Sequence, residues 1–167
     1  MVILKVVKGD LLEAKEKYIC QQCNCVTLKP HGLSESISKK YFWGDPYGIR
    51  PKKTANTTSQ PDDPGTIIEL AHPTKPNDHP IILCFMSQWG PSTPNRFKHY
   101  NSSKNDDTSE NRKKWFQECL DILDENKETY DVVAMPYYIG CGLAGGKWCD
   151  YESMLNNCKT KIVLYKL

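Results

Sequence analysis

The chain has 167 residues, of which 39% are apolar and 25% are charged, and its formal net charge is +2. A chain of this length and composition is expected to form one globular domain over residues 1–167. The near-neutral charge provides no broad basic surface of the kind that nucleic-acid-binding domains present.

No apolar run approaches the roughly 18 residues that a membrane-spanning helix requires. The N-terminal stretch "MVILKVVKGD" lacks the length and cleavage site of a signal peptide. These features predict an intracellular protein, cytoplasmic or nuclear, that contacts no membrane and is a monomer.

The first part of the chain alternates between strand and helix patterns. Leu33, Ile37 and Tyr41 stand four residues apart and predict a helix that begins just after Gly32. Residues rich in Pro, Lys, Asp, Asn and Thr predict a long irregular segment over 44–64. Strands are predicted over residues 2–7, 18–25, 66–71 and 81–86.

The second part contains the clearest helix pattern. After a polar loop over 90–106, apolar residues recur every three or four positions from Trp115 to Leu123. Asp107 and Glu110 have the spacing of a capping box, which predicts that this helix begins near Asp107. Further elements are predicted as a strand over 131–135, a helix from Trp148 to Cys158 and a strand over 161–166.

Interleaved strands and helices predict an α/β domain with a mixed, mostly parallel and mostly buried sheet. Ligands of such sheets bind beyond the carboxyl ends of the strands, where loops lead into helices. Three loops are candidates for this position: Gly9-Asp10, Asn24 to Gly32, and Pro136 to Gly146.

The third of these loops, "PYYIGCGLAGGKW", has four glycines, which let backbone N–H groups approach an anion closely. A P-loop is excluded because Cys141 and Trp148 stand where its Gly and Ser or Thr are needed. A dinucleotide fingerprint is excluded because only one helix and one strand are predicted after the loop. A phosphate-binding loop of another kind and a tight structural turn remain as alternatives.

Eight cysteines are present, and Cys20, Cys23 and Cys25 are clustered. A zinc site requires a fourth ligand and usually a second spaced pair, which the sequence does not offer. Without a secretory signal, disulfides are not expected either. The cysteines are therefore predicted to be buried or partly exposed thiols, with no metal site.

Four segments, in order along the chain, resemble macro domains, the ADP-ribose-binding family. "KGDLLEA" is similar to the family's Gly-Asp-Ile/Leu motif, and "CQQCNC" to its strand that ends in asparagine. "HGLSESI" resembles the glycine-rich entry to the first helix, and "MPYYIGCGLAGGKW" the Pro-x-Ile-Gly-x-Gly segment. The resemblance implies a three-layer α/β/α fold that needs no metal or cofactor.

The resemblance also implies a set of binding residues. Asp10 would accept a hydrogen bond from the adenine amino group, with Leu11 offering a backbone N–H nearby, and Asn24 would reach the distal ribose. From the residues alone, Asp10 is equally well interpreted as a helix N-cap. The diphosphate would lie between Gly32 and Leu33 on one side and, on the other, Ile139, Gly140, Cys141, Gly142, Leu143 and Ala144.

For catalysis, His31 and Asn24 are the candidate residues, because a histidine beside the terminal ribose can transfer protons or bind a phosphate. The leading hypothesis is removal of the terminal phosphate from ADP-ribose 1″-phosphate. Ser34, Ala144 and either Ser87 or Gln88 replace acidic and lysine residues of two other hydrolase branches of the family. An interpretation of His31 as a surface loop residue also remains.

Three alternatives remain for the function. One is hydrolysis of ADP-ribose from a modified protein or nucleic acid, and another is non-catalytic binding of ADP-ribose. A third is a nucleic-acid-binding module, suggested by Lys39-Lys40 and Lys52-Lys53 and disfavoured by the net charge.

Overall fold

The computed structural model describes residues 4–102 and 104–167. One sheet contains the strands β1 (Leu4–Lys8), β2 (Tyr18–Asn24), β3 (Ile67–Leu70), β4 (Ile81–Gln88), β5 (Val132–Pro136) and β6 (Lys161–Lys166). Its spatial order is β1-β6-β5-β2-β4-β3. All neighbouring pairs are parallel except β3 and β4, which are antiparallel. The carboxyl ends of five strands therefore lie at one edge.

The α-helices of the described residues are α1 (Leu33–Lys40), α2 (Ser109–Glu125) and α3 (Trp148–Asn156). Short 3-10 helices cover Leu11–Glu13, Lys98–Tyr100 and Gly142–Ala144. Within the described part of the chain, no helix combines the length and apolar character needed to cross a membrane.

The helices pack on both faces of the sheet because successive side chains of a strand point to opposite faces. On β4, Leu83 and Phe85 belong to the apolar cluster that contains Phe116 of α2. Ile82 belongs to the cluster on the other face, which contains Ile37 of α1. All five side chains are fully buried, and each contributes on the order of 1.5–3 kcal/mol to folding. The predicted three-layer α/β/α fold with a mixed, mostly parallel sheet is confirmed.

Most predicted elements agree with the structure to within a few residues. For the predicted first strand, Val2 and Ile3 lie outside the described residues, and the rest of it lies in β1. The last helix ends at Asn156 rather than Cys158.

The predicted capping box at Asp107 is wrong. The N-cap of α2 is Thr108, whose side chain accepts a hydrogen bond from the Asn111 N–H at 3.1 Å. Asp107 instead accepts hydrogen bonds from the backbone N–H groups of Trp89 and Gly90. It also forms an ion pair with Arg112 of α2, at 2.6 Å between Oδ2 and Nη2.

Arg112 connects three separate segments of the chain through this buried pair. Its guanidinium also donates to the carbonyl oxygens of Gly90, Ser92 and Ala144. Only 2% of Arg112 is exposed, so these acceptors replace water around a buried charge. The loop after β4, the start of α2 and the glycine-rich loop after β5 are held together by this one side chain.

A second buried arginine attaches the irregular 44–64 segment to the sheet. Arg50 forms an ion pair with Asp62, at 2.7 Å between Nη2 and Oδ2. It also donates to the carbonyl oxygens of Asn24 and Thr27, just beyond β2. Tyr47 of the same segment is buried and stacks against the Arg50 guanidinium. This part of the segment is therefore packed against the protein.

The Arg112→Met substitution is expected to lower the free energy of unfolding by about 3–5 kcal/mol, because it leaves Asp107 buried without its partner. Chemical denaturation measures this loss. The matched control is Lys114→Met, at an exposed position of the same helix, with an expected change within about 0.5 kcal/mol. Equal stability of the two variants would show that Arg112 does not have this role.

Candidate functional site

A cavity of about 390 Å³ lies at the carboxyl ends of β2, β4 and β5. Its volume is within the range of small-molecule sites, about 300–1,000 Å³. Its polar or ionisable wall residues from the β2 and β4 side are Gln22, Asn24, Lys29, His31, Ser34, Tyr47, Gln88 and Ser92. The opposite wall is formed by residues 136–144 of the glycine-rich loop, which runs from Pro136 to Gly146.

Close packing explains two of the four glycines in this loop. A Cβ on Gly140, which has a φ of +81°, would lie 2.3 Å from the ring of Tyr151 in α3. A Cβ on Gly146 would lie 2.3 Å from the Gly140 carbonyl oxygen. These glycines let the loop fold tightly against α3.

Gly142 differs from them, because a Cβ there would have no atom within 4 Å although its φ is +62°. The backbone around it leaves several N–H groups available. The N–H groups of Ile139, Cys141 and Ala144 are bonded to carbonyl oxygens of the same loop. Among the described residues, no acceptor is found for the N–H groups of Gly140, Gly142 and Leu143.

The N-terminus of α1 approaches the cavity from the other wall. Its N-cap is Gly32, which has a φ of +58° and provides no side-chain cap. Within the described part of the chain, the N–H groups of Leu33 and Ser34 have no acceptor. A Cβ on Gly32 would lie 2.9 Å from Cδ1 of Leu143, so the two walls come close to each other at this point.

The Asn24 side chain has a fixed orientation at the end of β2. Its Oδ1 accepts hydrogen bonds from the N–H groups of Val26 and Thr27 and from the Thr27 hydroxyl, at 2.9–3.1 Å. Its Nδ2 has no acceptor among the described residues, and Asn24 borders the cavity. Asn24 therefore offers N–H donors there, while its carbonyl oxygen is already occupied.

A chain of hydrogen bonds fixes two further carboxamides. The Gln88 Nε2 donates to the Gly90 carbonyl oxygen at 3.1 Å, and the Gln22 Nε2 donates to the Gln88 Oε1 at 2.8 Å. Because a carbonyl oxygen only accepts, Gln88 must direct its NH₂ group at Gly90. The Gln22 Oε1 is buried without a partner among the described residues.

The charge of the cavity comes from its rim. Lys29 and His31 are exposed and border the cavity, and no described Asp or Glu does so.

Burial raises the pKa of the Cys141 thiol to about 11, with further contributions from Asp150 and Cys149. Cys141 is therefore a neutral thiol near pH 7, which disfavours a nucleophilic role. The described residues contain no cluster of three or more potential metal ligands.

No protein-family model matches the chain, and neither does any curated protein. Solved structures of similar fold do match. The macrodomain of Thermus aquaticus DarG aligns over 100% of both chains, with 16% identity and a TM-score of 0.63. The macrodomain of Mycobacterium tuberculosis DarG aligns over 100% of this chain and 99% of its own, with 16% identity and a TM-score of 0.62.

The chain has the macro domain fold. A protein from Bacteroides thetaiotaomicron is also similar, with 20% identity, a TM-score of 0.66 and coverage of 98% of this chain and 99% of its own. At these identities the likeness concerns the fold alone.

The cavity brings together most residues singled out in the sequence. Asn24, His31, Leu33 and all of residues 139–144 border it. Asp10, Leu11 and Gly32 are not part of this wall. Asp10 is exposed beyond β1, where its Oδ1 accepts a hydrogen bond from the Leu12 N–H at 2.9 Å. It is thus an N-cap, as its interpretation from the residues alone allowed, and Leu11 is buried in the core.

Other wall residues of the cavity were missed in the sequence. Gln22 stands two positions before Asn24, so the period of a strand could have placed both on one face. Pro91 and Ser92 lie in the loop after β4, at the edge of the sheet where ligands of α/β domains were expected to bind. Tyr47 has no such signal, because it lies in the irregular segment.

Gly140→Ala is expected to destabilise the fold more than Gly142→Ala does. Both substitutions put a side chain at positive φ, which costs about 1–2 kcal/mol. Only Gly140→Ala also drives a methyl group into the Tyr151 ring. Denaturant unfolding of the two variants measures the difference, and equal losses would contradict the close packing described for Gly140.

Proposed function

We propose that this protein binds ADP-ribose or a close derivative, and that it removes the terminal phosphate of ADP-ribose 1″-phosphate. The observation that carries the binding proposal is the pair of facing backbone surfaces. N–H groups without an acceptor among the described residues stand on both walls, those of Gly140, Gly142 and Leu143 on one and those of Leu33 and Ser34 on the other.

Two sets of N–H donors suit a diphosphate, which offers only acceptor oxygens. The positive end of the α1 dipole adds to the attraction. The described cavity wall contains no carboxylate that would repel an anion, and Lys29 and His31 add positive charge at the rim when protonated. The fold and the resemblance of the four sequence segments to macro domains favour ADP-ribose among diphosphate ligands.

The strand order and the resemblance together support one direction for the bound molecule. Asp10 follows β1, two strands away from β5, whereas Asn24 and Gln88 end β2 and β4 on the other side of the glycine-rich loop. We therefore place the adenine toward Asp10 and the distal ribose toward Asn24. One oxygen of Asp10 caps the short helix Leu11–Glu13, and the other has no partner among the described residues.

For the phosphatase reaction, a water oxygen would attack the phosphorus while the bond from phosphorus to the anomeric oxygen breaks. His31 would take a proton from the water and return it to the anomeric oxygen, which gives ADP-ribose and inorganic phosphate. Asn24 would hold substrate oxygens through its N–H groups. Its occupied Oδ1 leaves it no role as a proton acceptor.

Non-catalytic binding of ADP-ribose is the second candidate. It is favoured by the absence of a carboxylate from the described cavity wall and by the exposure of His31. Hydrolysis of ADP-ribose from a modified protein or nucleic acid is less supported. Ser34 and Ala144 stand at positions where two hydrolase branches of the family have acidic residues. Neither replaces a carboxylate, because the Ser34 hydroxyl donates to the buried Gln21 Oε1 at 2.7 Å and Ala144 has no polar side-chain atom.

Calorimetry with ADP-ribose tests the binding proposal, and we expect saturable binding. Asp10→Ala is expected to weaken it by about ten- to a hundredfold, because a hydrogen bond to a charged group contributes about 1.5–3 kcal/mol. The same variant should leave the binding of ribose phosphate alone unchanged. The control is Asp63→Ala, an exposed carboxylate in the 44–64 segment. Absence of heat and of thermal stabilisation at millimolar ADP-ribose would refute the proposal.

His31→Ala is expected to lower kcat for phosphate release from ADP-ribose 1″-phosphate by about 10²–10⁴-fold, with KM less affected, because it removes a general acid–base group. His79→Ala is the control, since His79 stacks on His72 and does not border the cavity. Unchanged phosphate release in His31→Ala would refute the catalytic role. Tight binding without turnover by the wild type would favour the non-catalytic alternative.

A further inference from the structure

The carboxyl ends of β2 and β4 present two carboxamides side by side. A β-bulge between Cys23 and Asn24 shifts the register so that Asn24 lies opposite Gln88. Paired residues of neighbouring strands are about 4.8 Å apart, so one ligand group can reach both side chains. Only 6% of Asn24 and 8% of Gln88 is exposed, and both border the cavity.

Neither amide can turn its carbonyl oxygen toward a ligand without losing its partners. Three donors occupy the Asn24 Oδ1. The Gln88 Oε1 accepts from Gln22, and its NH₂ group is held by the Gly90 carbonyl oxygen. Gly90 is itself fixed, because its carbonyl oxygen also accepts from Arg112 and its N–H donates to Asp107.

The Asn24 and Gln88 side chains can therefore offer a ligand N–H donors but no carbonyl oxygen. The NH₂ group of Asn24 has no acceptor in the described chain, and that of Gln88 uses one of its two protons. A phosphate ester has only acceptor oxygens, whereas a sugar hydroxyl also has an O–H donor that needs an acceptor. Hydrogen bonds to an ionised acceptor are roughly twice as strong as those between neutral groups.

We propose that Gln88, fixed by Gln22 and Gly90 and paired with Asn24, is a specificity-determining residue that selects ligands ending in a phosphate ester over those ending in a free hydroxyl. This inference rests on the proposed function, since it concerns the distal end of the ADP-ribose site. It assigns a binding role to Gln88 of β4, in addition to the backbone N–H groups of the glycine-rich loop and of α1.

The test compares dissociation constants for ADP-ribose 1″-phosphate and ADP-ribose by calorimetry, with released phosphate monitored. If the ester is turned over, the same comparison is made for every variant in a His31→Ala background. The wild type should bind the ester about tenfold more tightly, because one charge-assisted hydrogen bond to a fixed amide is worth about that factor. Gln88→Met removes the N–H donor while keeping the length of the side chain. It should weaken the ester alone and bring the ratio of the two constants close to one.

Ser87→Ala is the matched control on the same strand. Ser87 is fully buried, does not border the cavity and has its hydroxyl directed at the Phe85 carbonyl oxygen. This variant should keep the wild-type ratio. If Gln88→Met does not fold, Gln88→Glu serves instead, and its carboxylate should make the ester bind more weakly than ADP-ribose.

Three results would overturn the inference. A wild-type ratio near one would show no selection, and an unchanged ratio in Gln88→Met would show that another residue causes it. Equal weakening of both ligands would show that Gln88 acts only on the structure of the site. Failure of the wild type to bind either ligand would instead refute the proposed function, and this inference with it.

Discussion

The geometry of the cavity depends on the buried Arg112–Asp107 pair. Removing both charges from water is costly, and the pair is maintained because each group is surrounded by hydrogen-bond partners. Asp107 binds two backbone N–H groups of the loop after β4, and Arg112 binds carbonyl oxygens of that loop and of the glycine-rich loop. The two loops are therefore fixed to α2 and to each other. A ligand between the walls meets donors whose positions are already set.

The glycines of the glycine-rich loop serve two different purposes, close packing and exposure of backbone N–H groups, which the sequence alone does not distinguish. Gly140 and Gly146 are needed so that the backbone can pack against Tyr151 and against itself. A Cβ on Gly142 would meet no atom of the described residues within 4 Å, and the consecutive N–H groups of Gly142 and Leu143 have no acceptor among those residues. Tight folding of the loop onto α3 is thus what presents unpaired N–H groups at the cavity. The loop is thus a tight structural turn, and under the proposed function it is also the surface that binds the diphosphate.

The sequence predicted the sheet and helices well because their apolar residues follow the periods of strands and helices. Asp107 was misassigned because its spacing to Glu110 is local, whereas its partners Arg112, Trp89 and Gly90 become neighbours only in the folded chain. Asn24 was singled out by the resemblance of "CQQCNC" to the macro domain strand that ends in asparagine. No such pattern could reveal that Tyr47 of an irregular segment would line the same cavity, since buried arginine contacts place it there.

Neutral donors distinguish this cavity from one built on lysines. The N–H groups of the backbone and of Asn24 and Gln88 carry no net charge, and the ionisable residues Lys29 and His31 are exposed at the rim, where salt and water screen them. Attraction of an anion into the cavity then depends on the number and direction of hydrogen bonds more than on long-range charge. Such a site discriminates by the shape and acceptor pattern of the ligand. It is consistent with a protein whose net charge is only +2.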